Sequence, residues 1–186
     1  MRLHLVRHGR PLVTEGEPNA SWPLAPEAAE GLAALRTSGR LPADATWYSS
    51  PEPKALGTAE ALAAGKVTVV EGLREMERPA GPWLGGKEWH AIVSRSMLEP
   101  DVPALPGWET GRATTERIVA AVRALPAVDD VALAGHGTAF TLLVAALTGA
   151  SPDLEGWRRI AMPDHLVLDL TAEGATVVLD WHGDWA

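Results

Sequence analysis

Leu5-Val6-Arg7-His8-Gly9 closes the first apolar run of the chain, and the rest of the sequence is read outward from it. Just upstream, Arg2-Leu3-His4-Leu5-Val6-Arg7 alternates polar and apolar residues before stopping at a glycine. Period-two alternation is the mark of a strand. In open α/β sheets, ligands bind beyond the carboxyl ends of the strands. Arg7 brings a fixed cation with a planar donor fork. His8 brings an imidazole nitrogen that is a neutral nucleophile near pH 7, and Gly9 lets the backbone turn tightly and admit a ligand. A cation beside an imidazole at a strand end points to an anionic substrate attacked by histidine. The same tripeptide also fits a surface arginine next to a buried, hydrogen-bonded histidine, so its context has to decide.

That context is an alternation of strands and helices. Residues 10–26 are loop-like, with five prolines and glycines (Pro11, Gly16, Pro18, Pro23, Pro26). A helix follows to about Ser38, with Ala28, Leu32 and Leu35 on one face. Residues 45–49 form a strand, 52–64 a helix and 67–70 a strand. This order implies a largely parallel sheet covered on both faces. Residues 71–108 break the pattern. They are charged, rich in Pro and Gly, carry Trp83, Trp89 and Trp108, and include a helix over 86–98. Such a connection is expected to act as a lid or pocket wall. An amphipathic helix over 109–125 follows, then an apolar strand over 130–134, as a central strand should be. The strand runs into Gly135-His136-Gly137-Thr138 and a buried helix over 139–150. Residues 165–170 and 176–181 alternate around a Glu173-Gly174 turn and form a closing hairpin. The expected fold is a single α/β domain over 1–186: a three-layer sandwich with a mostly parallel central sheet, helices on both faces and a C-terminal antiparallel hairpin.

Composition narrows the function. The 186 residues carry 16 basic and 24 acidic side chains, a net charge of −8. Such a chain is a poor candidate for nucleic acid or an anionic membrane, so any positive charge that binds phosphate must be local. There is no cysteine, which excludes disulfides, thiolate metal sites and a cysteine nucleophile. No signal-peptide pattern follows Met1, and the longest apolar run is too short to span a bilayer, so a cytoplasmic location is expected.

Gly135-His136-Gly137 repeats the logic of Arg7-His8-Gly9, again at the end of a strand. In a parallel sheet the two ends share one edge, so His8 and His136 converge. Gly137-Thr138 also opens a helix whose free N–H groups favour an anion. Ser49-Ser50-Pro51-Glu52-Pro53-Lys54-Ala55 is a third strand-to-helix junction, where Lys54 reaches the same edge. Together these pieces resemble the histidine phosphatase superfamily, the phosphoglycerate mutase-like proteins, over nearly the whole chain. Arg7-His8-Gly9 is similar to its N-terminal Arg-His-Gly. Ser49 to Ala59 is similar to its Ser-Ser-Pro-x-x-Arg-Ala-x-x-Thr-Ala segment, and Leu73-Arg74-Glu75 to the Leu-x-Glu that carries the proton donor. Pro106-Gly107-Trp108-Glu109-Thr110 resembles Pro-Gly-Gly-Glu-Ser, and Gly135-His136-Gly137 the second histidine motif.

The resemblance implies a hydrolase that cleaves a small phosphate monoester through a phosphohistidine on His8. Glu75, protonated, would serve as the acid, and His136 would be cationic or donating toward a phosphoryl oxygen. Arg7, Lys54 and Gly137 would bind the phosphate, with Arg10 and Thr14 as further candidates. It implies no metal or organic cofactor, and a site that phosphate or sulfate could occupy. Mutase-type phosphoryl transfer and a catalytically impaired phospho-ligand sensor are the alternatives, and the substrate and oligomeric state stay open.

Three departures matter. Lys54 stands where the family has arginine, a point charge in place of a bidentate fork. Arg10 and Thr14 stand where the family often has Glu and Asn. Glu77 rivals Glu75 as the proton donor, unless it is simply paired with Arg74 or Arg78 at the surface. His4 and His8 lie about 13 Å apart along a strand, which argues against a shared metal. His90 and His182 read as surface residues. His165 opens a strand and is a lesser candidate for the site. Trp83, Trp89 and Trp108 shape a pocket or simply fill core.

Overall fold

The computed structural model describes residues 1–81 and 84–181. Six strands form one sheet in the order β3-β2-β4-β1-β5-β6. They are β1 (Arg2–Arg7), β2 (Thr46–Ser49), β3 (Val67–Val69), β4 (Asp130–Gly135), β5 (Asp164–Leu170) and β6 (Ala175–Leu179). β1 to β4 run parallel. β5 pairs antiparallel with β1, and β6 antiparallel with β5, which is the expected C-terminal hairpin.

Alternation along the strands divides the apolar side chains between two faces. Leu3, Leu5, Tyr48, Val131, Leu133, Leu166 and Leu168 pack with Ile118 and Val122 of α4 (Gly111–Arg123) and with Phe140 and Leu143 of α5 (Gly137–Thr148). Val6, Trp47, Ala132 and Ala134 pack on the other face, against Ala28, Leu32 and Leu35 of α1 (Ala28–Thr37) and Ala59 and Leu62 of α2 (Pro53–Leu62). The result is a three-layer α/β sandwich. A third cluster lies beyond the sheet. There α3 (Gly86–Leu98) and α6 (Leu154–Arg159) bring Val93, Met97 and Trp157 against Met76, Trp108 and Leu142.

Helix ends fall where capping chemistry puts them. Pro53 opens α2 at its first turn. Thr110 Oγ1 accepts the Ala113 N–H at the start of α4. Gly149, at φ 72°, closes α5 in the left-handed conformation. Short helical segments at Asn19–Ser21, Glu71–Leu73 and Leu154–Arg159 were not expected from the sequence, being too short to show a period. Among the described residues no helix is long and apolar enough to cross a membrane.

The register sets the site. Arg7 pairs with Gly135, and Ser49 with Ala134. Just past these pairs, His8 N donates to Gly135 O at 3.0 Å and Ser50 N to Ala134 O at 2.9 Å. His8, Ser50 and His136 thus leave three adjacent strands at one edge of the sheet.

Candidate active site

A cleft of about 870 Å³ opens over that edge. Arg7, His8, Lys54, Glu75, Arg78 and His136 line it. The His8 and His136 rings meet edge to face with centroids 5.2 Å apart. His8 Nδ1 lies 2.7 Å from Gly9 O. A carbonyl can only accept, so Nδ1 carries the proton and Nε2 keeps its lone pair. Burial pushes the His8 pKa well below 6.5, and His136, Arg7 and Lys54 add to the effect, so the ring is neutral at pH 7.

His136 Nε2 lies 2.8 Å from Ser50 Oγ and 3.4 Å from Glu52 Oε1. Ser50 Oγ accepts the Glu52 N–H at 3.3 Å and still has its own proton to give to Nε2. With Ser50 as the donor to Nε2, Nδ1–H is the free donor, and Nδ1 is buried without a partner among the described residues. Burial holds the His136 pKa at about 3. The ring is therefore neutral, and of the two expected states it is the donating one that this environment supports.

Arg7 Nη1 donates to Ile160 O and, at 3.4 Å, to Ala161 O. Its Nε is buried with no acceptor among the described residues and faces Gly137, where a Cβ would come within 3.3 Å of it. Gly137 thus keeps the arginine side chain close to the start of α5.

Glu75 sits in the cleft, whereas Glu77 is exposed and paired with Arg74 at 3.2 Å. Glu75 Oε1 accepts the N–H groups of Met76 (2.8 Å) and Ala139 (2.9 Å), and Oε2 that of Thr138 (3.2 Å). Burial raises its pKa, but Arg78, His136 and these N–H donors outweigh burial and hold it at about 2. Two differences from expectation follow. The unliganded site holds Glu75 as an anion, not protonated. The anion at the N-terminus of α5 is also Glu75 itself, so the Thr138 and Ala139 N–H groups are already engaged.

Lys54 is buried, and its Nζ donates to Glu52 Oε2 at 2.5 Å and to Asn19 O at 2.6 Å. Glu52 Oε1 accepts the Glu75 N–H at 2.8 Å. Thr58 Oγ1 accepts the Gly9 N–H at 2.9 Å and donates to Lys54 O, which ties the histidine loop to α2. Arg117 is a clamp behind Glu75. Its Nη1 donates to Gly72 O and Arg74 O, its Nη2 to Glu75 O, and its Nε and Nη2 hold Glu109.

Arg10 and Thr14 line the rim and are exposed. Trp89 and Trp108 line the cleft; Trp83 and His182 lie outside the described residues. His165 does not line the cleft. It stacks on His4, whose Nδ1 lies 3.1 Å from His165 Nε2 and whose Nε2 lies 3.0 Å from Asp130. His90 is exposed and meets Trp157 edge-on.

The sequence model of the histidine phosphatase superfamily (branch 1) matches residues 3–184. The chain belongs to this superfamily. Solved structures agree on the fold. The protein TTHB049 from Thermus thermophilus aligns at TM-score 0.72 and 23% identity over 98% of this chain and 99% of that one. Phosphoserine phosphatase from Entamoeba histolytica, solved with phosphoserine, aligns at TM-score 0.69 and 16% identity over 99% and 98%. A mycobacterial glucosyl-3-phosphoglycerate phosphatase, solved with VO3, aligns at TM-score 0.72 and 19% identity over 96% and 97%. Comparison with curated proteins returns no match. Around this cleft, the contacts of Glu52, Ser50, Arg78 and Arg117 were not read from the sequence. For Arg78, a cation three residues beyond the acid was the only available signal.

Proposed function

We propose that this protein is a phosphatase that hydrolyses a small phosphate monoester through a phosphohistidine on His8. The observation that carries the reading is a set of polar groups around one cleft that have no partner among the described residues. Arg7 Nε and His136 Nδ1 lack acceptors, and His8 Nε2 has no hydrogen-bond partner among the described residues. Buried donors without partners are costly and call for an acceptor, and a phosphoryl group supplies three oxygens.

In the reaction, His8 Nε2 attacks phosphorus as the ester P–O bond breaks, forming a P–N bond. Arg7 and His136 Nδ1–H hold the phosphoryl oxygens as charge builds on them. Glu75 gives its proton to the departing oxygen. It is anionic before substrate arrives, so the proton enters with the ester, whose second ionisation lies near pH 6. The incoming negative charge also raises the proton affinity of Glu75. In the second half, Glu75 takes a proton from water, the resulting hydroxide attacks phosphorus, the P–N bond breaks and the lone pair returns to Nε2. No step needs a metal or organic cofactor. Residues 71–108 contribute Glu75, Arg78, Trp89 and Trp108 to the cleft and would serve as the wall that receives the leaving group.

A second reading is a phospho-ligand sensor, favoured by the neutralised Lys54–Glu52 pair. One experiment separates them. The protein is mixed with an aryl phosphate, quenched and examined by intact mass, with His8→Ala as control. An acid-labile, base-stable phosphoryl adduct in the native protein alone supports the phosphatase. Phosphate binding with neither adduct nor phosphate release supports the sensor.

A further inference from the structure

Arg78 has the geometry of a ligand-binding cation, although its position carries no such motif. The residue is 8% exposed. Its Nη2 donates to Thr138 Oγ1 at 2.9 Å, which anchors the guanidinium beside the first turn of α5. The Trp89 and Trp108 rings flank it, with the guanidinium carbon 4.8 Å and 5.2 Å from their centroids. Stacking orients a guanidinium and shields it from water, yet leaves its in-plane donors unsatisfied. Arg78 Nε is such a donor: buried, without an acceptor among the described residues, and in the wall of the same cleft as Arg7 Nε and His136 Nδ1.

Charge balance points the same way. Arg7 lies in the field of Glu75 and Asp164, and Lys54 is bound to Glu52. With both histidines neutral, the carboxylates that act on Arg7 and Lys54 (Glu52, Glu75 and Asp164) would outnumber those two cations if Arg78 were absent. A dianion would be repelled from such a site. Arg78 restores the balance, and its interaction with Glu75 is the largest of those holding that carboxylate down.

We propose that Arg78 is a phosphate-binding residue of this cleft and supplies, through Nε–H, the planar arginine contact that Lys54 does not. This rests on reading the cleft as a phosphomonoester site. The ester's oxygen takes the open Nε–H while Nη2 stays on Thr138. Arg78 is then shared between the phosphate and Glu75, so the arriving anion weakens its hold on Glu75 as proton transfer is needed.

The test reads binding without turnover. Inorganic phosphate is titrated into the native protein, with calorimetry for affinity and NMR for the Arg78 Nε–H resonance. A downfield shift of that proton that saturates with the calorimetric isotherm is expected. Arg78→Met should weaken phosphate by about 10- to 100-fold, the loss of one charge-assisted hydrogen bond, and Arg78→Lys should recover part of it. An Nε–H unmoved at saturating phosphate overturns the proposal, whether or not Arg78→Met folds; so does a folded Arg78→Met with native phosphate affinity. Failure of the phosphatase reading looks different: phosphate binds and moves Arg78 Nε–H, but no His8 adduct forms.

Discussion

Glu52 Oε2 stands 2.5 Å from Lys54 Nζ, and both side chains are buried. The other carboxylate oxygen accepts the Glu75 N–H and lies 3.4 Å from His136 Nε2. One side chain therefore neutralises a cation, supports the acid-bearing loop and abuts the second histidine. Burial raises the Glu52 pKa, and Lys54 offsets only part of that rise. Glu52→Gln keeps an acceptor for the Glu75 N–H but removes the charge facing Lys54. Stranding one member of a buried pair costs about 3–5 kcal/mol, so the melting temperature should fall without phosphate. Phosphate would then supply the missing anion. Melts over a phosphate series should show a larger ligand-induced rise than in the native protein. An equal or smaller rise would mean that Lys54 is not held in check by Glu52.

His8 gives a prediction about pH. An exposed histidine nucleophile loses half its activity near pH 6.5. Here burial and three neighbouring groups keep the ring neutral well below that. For the free enzyme, kcat/KM on an aryl phosphate, corrected for the ester's own ionisation, should show no acid limb at pH 6.5, because the limb is displaced well below it. Arg7→Gln removes one of the repelling charges and should move the acid limb upward. A native acid limb at pH 6.5 would show that the His8 pocket is wet.

The fold and part of the site were legible because their signals are local. Strand alternation in residues 2–7 and glycines after two strand ends place both histidines at one edge, and the observed register of Arg7 with Gly135 agrees. The partners of those residues were not legible. Nothing in Ser50 or Glu52 shows that a hydroxyl and a carboxylate bracket His136, since that contact spans 86 residues of chain. Glu75 matched a motif, but its ionisation depends on backbone N–H groups of α5, which only packing delivers. Lys54 read as a weakened arginine. Its ion pair with Glu52, two residues earlier, emerged only from burial of both side chains.

Arg117 lies outside the cleft yet holds Gly72 O, Arg74 O and Glu75 O at 2.9, 3.0 and 3.1 Å. On the proposed reading it is a positioning residue for Glu75. Arg117→Met should lower kcat on an alkyl phosphate by about 10- to 100-fold, the scale of a misplaced catalytic group, with little change in phosphate affinity. An aryl phosphate with a good leaving group needs the proton less, so its kcat should fall less. Equal losses on both substrates would mean that the clamp supports folding generally and not Glu75.

Stability should fall with acid in two stages. His136, held at about 3, and His8, also lowered, stay neutral in the folded protein, whereas the unfolded chain protonates them near 6.5. The unfolded state then binds more protons, so folding stability declines as pH drops below about 6.5. Glu75 acts in the same direction over a lower window. Its folded pKa of about 2 lies below the ordinary value of 4.5, so its contribution is complete above 4.5 and disappears as pH falls toward 2. Between pH 6.5 and 4.5 the histidines dominate, each adding up to about 1.4 kcal/mol per pH unit. Urea midpoints of His136→Asn across that window, in phosphate-free buffer, should show a slope shallower by about one proton's worth. An unchanged slope would mean that His136 is protonated in the folded protein, and Nδ1–H would then no longer be the ring's only free donor.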